Sequence, residues 1–478
     1  MDRAIIFITL LVALVWFLSR NRQELTYSKL AEVMIALTVF SFFLPRATFP
    51  VFLFSGPEHQ LDFGAYGPLG IALRAQPYHF FAFFFLFIAV KCYNRVIPQI
   101  KTATLVSIIA AIIYVFANPT NEVKFASVVP VFYFATYFLV LYYIVTTCSY
   151  KTILNGIFTG LAAGLVLNLV LSIMFPLLNM KAIVKLFNSS ALLREGSRAG
   201  AVGTFDHSNT LGVFISYCYC FFLACILTNF KKKQSIAMLV IAVLIILLSK
   251  SRSALMSIAF ASLLSVVLYK FKQYSIFSPR IFFKAVLPVI LLIATVFWLT
   301  PIADMFLKSD ADDMMLARGM HYLCGYEMFS DHPLFGVGWN SHLKYMSENI
   351  YIDFNTLFST DEWLGDDFMY SYPIHNIWLI MLCELGLVGF SVIVYFIARY
   401  FYRFKKRIAG STSANYHIIL ITVLGILCCL LVQGNSDWAP LREYTMNLSV
   451  MFMFLAGNYD RGDEYGLPEK SELELMKL

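Results

Sequence analysis

Residues 236–269 read IAMLVIAVLIILLSKSRSALMSIAFASLLSVVLY, two apolar runs separated by a short polar turn at 249–253. With its flanks, each run is long enough to form a helix that satisfies its own backbone hydrogen bonds, which is the requirement for crossing hydrocarbon. The turn leaves no room for a folded domain between the two helices. The stretch therefore predicts a helical hairpin that crosses a membrane twice.

The same pattern recurs along the 478-residue chain, in which 59% of the residues are hydrophobic and 14% are charged. A mean hydropathy of +0.72 leaves too little polar surface to cover a soluble globule of this size. We predict an all-α fold, a polytopic integral membrane protein with about 12 to 13 transmembrane helices. Residues 1–478 would form a single membrane domain, into which one large polar loop, 300–374, is inserted. The first apolar run, 5–18, has no small-residue cleavage site and predicts a retained helix.

Basic residues concentrate in alternate, short connections, which the positive-inside rule assigns to the cytoplasmic side. These clusters are Arg20, Arg22 and Lys29; Lys91, Arg95 and Lys101; Lys151; Lys231, Lys232 and Lys233; Lys270, Lys272, Arg280 and Lys284; Arg399, Arg403, Lys405, Lys406 and Arg407. The outward connections are then 46–78, 118–126, 179–208, 249–253, 301–374 and 433–445. This dispersal explains the net charge of +7 without nucleic-acid binding, and function is expected on the elaborated outer side.

Neither the cysteines nor the acidic pairs predict a metal site or any other cofactor. The nine cysteines lie almost all in predicted spans, and Cys324 alone falls in the large polar loop, so no disulfide framework is expected. Asp310 and Asp312 have the Asp-x-Asp spacing of a metal site but lack a preceding apolar strand. Like Asp366 and Asp367, they are interpreted as residues of a solvated loop.

Several outward connections carry arginines beside glycines or small residues. They are Arg194 and Arg198 in REGSRAGAVGTF, Arg252 in SKSRS and Arg318 in LARGM. A guanidinium matches phosphate oxygens with a planar donor fork, and neighbouring glycines let backbone N–H groups approach an anion. A lipid diphosphate at the outer leaflet is the predicted ligand. The alternative is that these arginines extend to lipid head groups or pair with Asp and Glu.

Arg252 is the strongest of these candidates, because it lies in a short turn between two apolar helices. This turn is on the side of the membrane where basic residues are disfavoured. Lys250 shares this position and is a supporting candidate. His207 and Asn209 follow Arg198 into the next helix and are expected to touch the same pocket, and they show no metal-ligand spacing with other residues.

His375 closes the polar loop, and the chain is strongly apolar after it. An imidazole at a membrane mouth can take a proton from a water-soluble hydroxyl beside a lipid-borne reactant. The pair Tyr372-Pro373 disfavours helix before it, and Asn376 is expected to help cap the helix that follows. The alternative is an interfacial histidine that is hydrogen-bonded to a loop.

Glu384 lies nine residues after His375, about 13 Å along an ideal helix and on another face. It is therefore a poor direct partner for His375 and is interpreted as a buried carboxylate bonded to another helix. Gly386 and Gly389 have the spacing of a close helix–helix contact. Within the polar loop, 316–329 has helical spacing.

Four elements together resemble the O-antigen ligase and polymerase superfamily. They are SRAGAVGTFDHSN at 197–209, SKSRSAL at 249–255, Arg318 followed by FSDHPLFGVGW at 329–339, and His375-Asn376 followed after nine residues by GLVG at 386–389. The resemblance covers residues 198–389, and the first helices share only their hydropathy with the family.

The resemblance implies a membrane glycosyltransferase of the bacterial inner membrane whose active site and large loop are periplasmic. It would transfer an undecaprenyl-diphosphate-linked glycan to a sugar hydroxyl of lipid A-core, with inversion and without a metal. By the same resemblance, Arg198 and Arg252 would bind the diphosphate. His375 would act as base or orienter for the acceptor hydroxyl, and Arg318 would help to position the donor.

The sequence leaves other functions open. A polymerase of the same superfamily would use a second lipid-linked glycan as acceptor, and protein-directed transfer is a third possibility. A transporter for lipid-linked sugars would predict duplicated halves and charged residues within spans, and neither is found in the sequence.

Overall fold

A computed structural model describes residues 27–44, 49–53, 72–75, 77–93, 137–178, 200–205, 207–270, 311–339, 341–350, 374–411, 413–435, 437, 439–441 and 443–464. Its helices are α1 (Tyr27–Ser41), α2 (Pro77–Tyr93), α3 (Tyr137–Thr147), α4 (Tyr150–Leu178), α5 (Ser208–Leu227), α6 (Lys232–Ser249), α7 (Arg252–Lys270), α8 (Ala311–Asp331), α9 (His342–Asn349), α10 (Ile377–Gly410), α11 (Ala414–Gln433) and α12 (Glu443–Glu464). A 3-10 turn, Ala439–Leu441, precedes α12, and two short strands, β1 (Phe49–Leu53) and β2 (Ala72–Ala75), lie between α1 and α2.

Within the described residues, five helices are long and apolar enough to cross a membrane, and the predicted all-α polytopic class is confirmed. The qualifying segments are Tyr150–Met174, Ser208–Leu227, Lys232–Ser249, Ile377–Ile408 and Ala414–Gln433. Shorter apolar helices are Tyr78–Phe87, Tyr137–Thr147 and Arg252–Val267. The predicted hairpin of residues 236–269 is present as α6 and α7. The run 5–18 lies outside the described residues, and the number of 12 to 13 spans stays a prediction.

The strands β1 and β2 form a two-stranded antiparallel sheet that the sequence did not predict. Phe49 pairs with Ala75, and the register shifts between Pro50 and Phe52. A proline has no N–H to donate to the ladder, so an irregularity beside it is expected. Strands this short carry too little alternation of polar and apolar residues to be recognised from sequence.

Glycines of α4 allow α1 to approach closely. A Cβ at Gly156 would lie 2.8 Å from the carbonyl oxygen of Glu32, and one at Gly160 would lie 2.9 Å from Cβ of Val39. The glycines are four residues apart and therefore lie on one face of α4. The contacted positions advance together along both helices, so α1 and α4 run parallel.

Helix α5 lies at the centre of the bundle, and its residues from Thr210 to Cys225 are buried. Ser216 accepts a hydrogen bond from Nε2 of Gln433 at 3.1 Å, and the Sγ atoms of Cys220 and Cys429 lie 3.7 Å apart. The order of these contacts shows that α5 and α11 are antiparallel.

The two ends of the bundle differ in charge. At the end that we call the His375 end, Ala201 N donates to Leu248 O at 2.9 Å and Ile377 N donates to Gly434 O at 2.8 Å. These bonds place the starts of α5 and α10 and the ends of α6 and α11 at the same end of the bundle. The opposite, basic end carries Lys151, Lys231, Lys232, Lys233, Lys270, Arg403, Lys406 and Arg407. The helix directions thus reproduce the alternation of basic connections seen in the sequence.

Helix α10 is interrupted at Gly386, where φ is 62° and ψ is −175°. In an uninterrupted helix the N–H groups of Leu387 and Val388 would bind the carbonyls of Cys383 and Glu384. The interruption frees all four groups. In an apolar environment each would cost several kcal/mol if it stayed unpaired.

The loop 332–338, which follows α8, pairs with all four freed groups. Val337 and Gly338 donate their N–H groups to the two free carbonyls at 2.9 and 3.0 Å. The carbonyls of Pro333 and Leu334 accept from the two free N–H groups at 2.9 and 3.1 Å. We call this set of four hydrogen bonds the α10 junction.

Two glycines make the α10 junction sterically possible. Gly336 has φ of 68°, and a Cβ there would overlap the carbonyl of Cys383. A Cβ at Gly386 would overlap the main chain of Leu334. The interpretation of Gly386 and Gly389 as a helix–helix contact is therefore wrong for Gly386, which instead contacts a loop. Its positive φ, which glycine alone adopts without strain, is the physical reason.

We predict that Gly386→Ala lowers the stability of the protein by about 1 to 3 kcal/mol, because alanine is strained at positive φ and its Cβ overlaps the loop. The matched control is Gly410→Ala in the same helix, where a Cβ would meet nothing within 4 Å. Thermal unfolding of the detergent-solubilised variants measures both effects. Equal melting temperatures for the two variants would contradict the described junction.

Candidate functional site

The start of α10 is fixed directly after His375. Oδ1 of Asn376 accepts the N–H groups of Trp378 and Leu379 at 2.9 and 3.1 Å. These are two of the N–H groups that have no partner within the first turn of a helix. The capping role expected for Asn376 is confirmed, and it holds His375 at a defined helix start.

His375 lies against His321 of α8. Their Nδ1 atoms are 3.3 Å apart, their ring planes are within 7° of parallel, and the ring centroids are 5.3 Å apart. His321 is 2% exposed, whereas His375 is half-buried. A hydrogen bond between two Nδ1 atoms requires a hydrogen on one and a lone pair on the other. The contact is therefore a hydrogen bond when one of the two rings donates and the other accepts.

Gly325 brings α8 and α10 together one turn beyond the histidine pair. A Cβ at Gly325 would lie 2.6 Å from Cδ2 of Leu379, and Sγ of Cys383 donates to the carbonyl of Gly325 at 2.9 Å. Gly325 follows His321 by four residues, and Leu379 follows His375 by four. The two helices therefore run parallel and present both pairs in register.

The contact of His321 with His375 was not predicted from the sequence. The predicted helix 316–329 is present within α8, and Oη of Tyr322 donates to the carbonyl of Asn435 at 3.1 Å, which ties α8 to the end of α11. His321 lies three residues after Arg318, close to its face of the helix, and this spacing was the available signal. The partners are 54 positions apart, so local spacing could not pair them.

Glu384 is bonded to His342, as a buried carboxylate held by another helix. Its Oε1 accepts from Nδ1 of His342 at 2.6 Å and from the backbone N–H of His342 at 3.3 Å. Glu384 is 5% exposed and His342 is 7% exposed. This pair fixes the start of α9 to α10 just before the break at Gly386.

Arg252 opens α7 at the His375 end and is half-buried, while Lys250 is exposed and has φ of 54° as the cap of α6. A Cβ at Gly212 of α5 would lie 2.7 Å from Cβ of Ser251, so α5 packs tightly against this turn. The turn between α6 and α7 is therefore rigidly placed, and Arg252 with it.

The segment 200–205 packs against the same turn. Gly200 touches the main chain of Ser249, and Thr204 donates its N–H to Oδ1 of the fully buried Asn168 at 3.0 Å. The N–H groups of Ala201 and Thr204 are thus bonded to protein acceptors. The expectation that glycines here offer backbone N–H groups to an anion is wrong for these two groups, because neighbouring helices bind them.

The remaining predicted site residues are placed as follows. His207 caps α5, with Nδ1 accepting the N–H of Asn209 at 3.0 Å. Arg318 lies in α8, three residues before His321. Arg194 and Arg198 lie outside the described residues, and Arg198 precedes Gly200 by two positions in the sequence. Their binding roles, and those of His207 and Asn209, stay predictions.

Free and buried thiols are those of Cys148, Cys218, Cys220, Cys225, Cys324, Cys383, Cys428 and Cys429. Burial raises the pKa of Cys324 to about 12, so this thiol is protonated at neutral pH and is a poor nucleophile. Across the described ranges, no three His, Cys, Asp or Glu side chains group as metal ligands. Asp310, Asp366 and Asp367 lie outside these ranges.

A bundle of apolar helices with paired imidazoles at one end and basic residues at the other defines a multi-pass membrane protein with its candidate site at the His375 end. Residues 237–394 match the family model described as O-antigen ligase. The match runs from α6 into α10 and includes Arg252, Arg318 and His375. It confirms the resemblance to the O-antigen ligase and polymerase superfamily. A search of curated proteins gave no match to the chain.

We predict that Glu384→Ala destabilises the protein by about 3 to 5 kcal/mol, because it leaves two buried donors of His342 without an acceptor. Glu384→Gln keeps an oxygen at this position and should lose much less stability. Melting temperatures of the two purified variants provide the test. If alanine and glutamine are equally tolerated, the pair does not hold α9 in place.

Proposed function

We propose that this protein transfers an undecaprenyl-diphosphate-linked glycan to a sugar hydroxyl of lipid A-core, as an inverting, metal-independent glycosyltransferase like the O-antigen ligases. The observation that carries the proposal is that the O-antigen ligase match, residues 237–394, contains both Arg252 and His375, which open two helices at one end of the bundle. A cationic group and a titratable group at the same end suit a diphosphate donor and a hydroxyl acceptor.

Arg252 supports binding of the donor diphosphate. It is the first residue of α7, whose first turn contains no acidic residue. The dipole of a helix start favours an anion, and a guanidinium adds a bidentate fork. The segment 200–205 packs on the adjoining turn, which supports the proposal that Arg198, two residues earlier, binds the same diphosphate. Arg194, Lys250 and Arg318 are supporting candidates.

In the proposed reaction His375 takes the proton of the acceptor hydroxyl as the hydroxyl oxygen attacks the anomeric carbon. The new C–O bond forms opposite the bond to the diphosphate, which breaks and leaves its electron pair on the diphosphate. Attack from the opposite side inverts the anomeric centre. Paired guanidiniums neutralise the charge that develops on the leaving group, so the residues can supply the stabilisation that a metal gives elsewhere.

The charge asymmetry of the bundle supports a periplasmic site in the inner membrane. Positive-inside topology assigns the basic end to the cytoplasm. The His375 end then faces the periplasm, where the large loop 300–374 would also lie. We propose this orientation together with the reaction.

Glycolipid profiling of a deletion strain tests the function. Loss of polymer from lipid A-core, with accumulation of full-length polymer on the polyprenyl carrier, is the outcome expected for a ligase. Lipid A-core that bears a single repeat unit would instead identify a polymerase, whose acceptor is a second lipid-linked glycan. An unchanged profile would contradict both activities.

We predict that His375→Ala abolishes glycan transfer, because the acceptor hydroxyl loses the group that takes its proton. The expected loss of rate is about a hundredfold or more. The measurement is transfer by the purified variant, with its amount in membranes and its melting temperature as controls. A stable variant with wild-type transfer would remove His375 from the mechanism.

We predict that Arg252→Lys also loses most of its activity, because an ammonium group lacks the planar fork that holds two phosphate oxygens. Arg403→Lys at the basic end is the matched control and should remain active. The kcat/KM for the lipid-linked donor is the quantity to compare. A normal kcat/KM in Arg252→Lys would show that charge alone suffices there.

A further inference from the structure

The contact between His321 and His375 is built to a defined geometry. The two ring planes are nearly parallel and the Nδ1 atoms face each other at 3.3 Å. The Gly325 contact with Leu379 and the bond from Tyr322 to Asn435 fix α8 within the turn that follows His321. A side chain that only fills space needs none of these polar contacts.

We propose that His321 is a positioning residue that accepts the Nδ1–H of His375 and so keeps the lone pair of His375 on Nε2. This inference rests on the proposed function, in which His375 takes a proton. A neutral imidazole carries its hydrogen on only one nitrogen, so fixing it on Nδ1 leaves Nε2 as the basic atom.

The difference in burial favours His375 over His321 as the ring that takes up positive charge. His321 is 2% exposed, and burial disfavours the charged form of an imidazole. A neutral His321 offers a lone pair on Nδ1 when its hydrogen is on Nε2. Two protonated rings would place like charges together and have two donors facing each other, so His321 remains neutral while His375 gains a proton.

The pair also accounts for the proton in the transfer step. When the acceptor O–H bond breaks, the proton moves to Nε2 of His375 and the imidazole becomes an imidazolium. Its Nδ1–H then makes a charge-assisted hydrogen bond to Nδ1 of His321, which is stronger than the neutral one. The oxygen keeps its electron pair and forms the bond to the anomeric carbon, and the diphosphate leaves with the pair of the broken bond.

The test compares His321→Asn with His321→Leu. Both substitutes branch at Cγ and have nearly the same shape, so they leave the same space beside His375. The asparagine oxygen lies close to the position of the histidine Nδ1 and can accept the Nδ1–H, whereas leucine cannot. Transfer is measured with the purified full-length protein, a polyprenyl-diphosphate-linked glycan as donor and lipid A-core as acceptor.

We expect His321→Leu to lower kcat by about a hundredfold while the KM for the donor is unchanged, and His321→Asn to keep kcat within about tenfold of the wild type. Equal kcat values for the two variants would overturn the proposal. A loss that appears in KM for the donor would also overturn it, because a positioning role for the base acts on the chemical step.

Nitrogen-15 NMR of histidine-labelled protein gives a second readout that needs no substrate. The His375 signals are assigned by their absence in His375→Asn. In the wild type they should show hydrogen on Nδ1 and none on Nε2, and in His321→Leu they should show a mixture of the two tautomers. Hydrogen on Nε2 of wild-type His375 would refute the proposal even if neither variant folds. If the tautomer is as expected but wild-type protein transfers no glycan, the proposed function fails and the pairing stands.

Discussion

The four main-chain hydrogen bonds of the α10 junction are the constraint on which the candidate site depends. The loop 332–338 continues directly from α8 and leads into α9, so binding of this loop at Gly386 places both helices against α10. The unpaired groups on either side of the break make this docking strongly favourable. The Glu384–His342 pair then secures α9, and the parallel course of α8 brings His321 to His375.

Much of this architecture can be predicted from local patterns in the sequence. Hydropathy gives the helical membrane class, the order Pro373, His375, Asn376 gives the helix start and its cap, and spacing gives the helix within 316–329. The contacts that complete the site join distant positions. His321 and His375 are 54 positions apart, and nothing in the local pattern of either segment indicates the other.

The glycines are a second case in which local sequence does not show what a residue contacts. Gly386 and Gly389 have a spacing that suits close helix packing, yet only the backbone conformation shows that Gly386 ends one helical segment and starts another. In the segment 200–205, Gly200 packs closely against the end of α6 and Gly203 against Asn168 of α4. A glycine indicates that another group approaches the backbone closely. The sequence does not show whether that group is a helix, a loop or a phosphate.

Because the α10 junction is made by main-chain atoms, the side chains around it are not needed to stabilise it. Leu334 is 56% exposed, Phe335 52%, Leu387 46% and Val388 45%. Exchange of these four would leave the hydrogen bonds in place as long as Gly336 and Gly386 remain. The rigidity of the site and the chemistry of the surface beside it can therefore be altered independently, so the surface can change without rebuilding the centre.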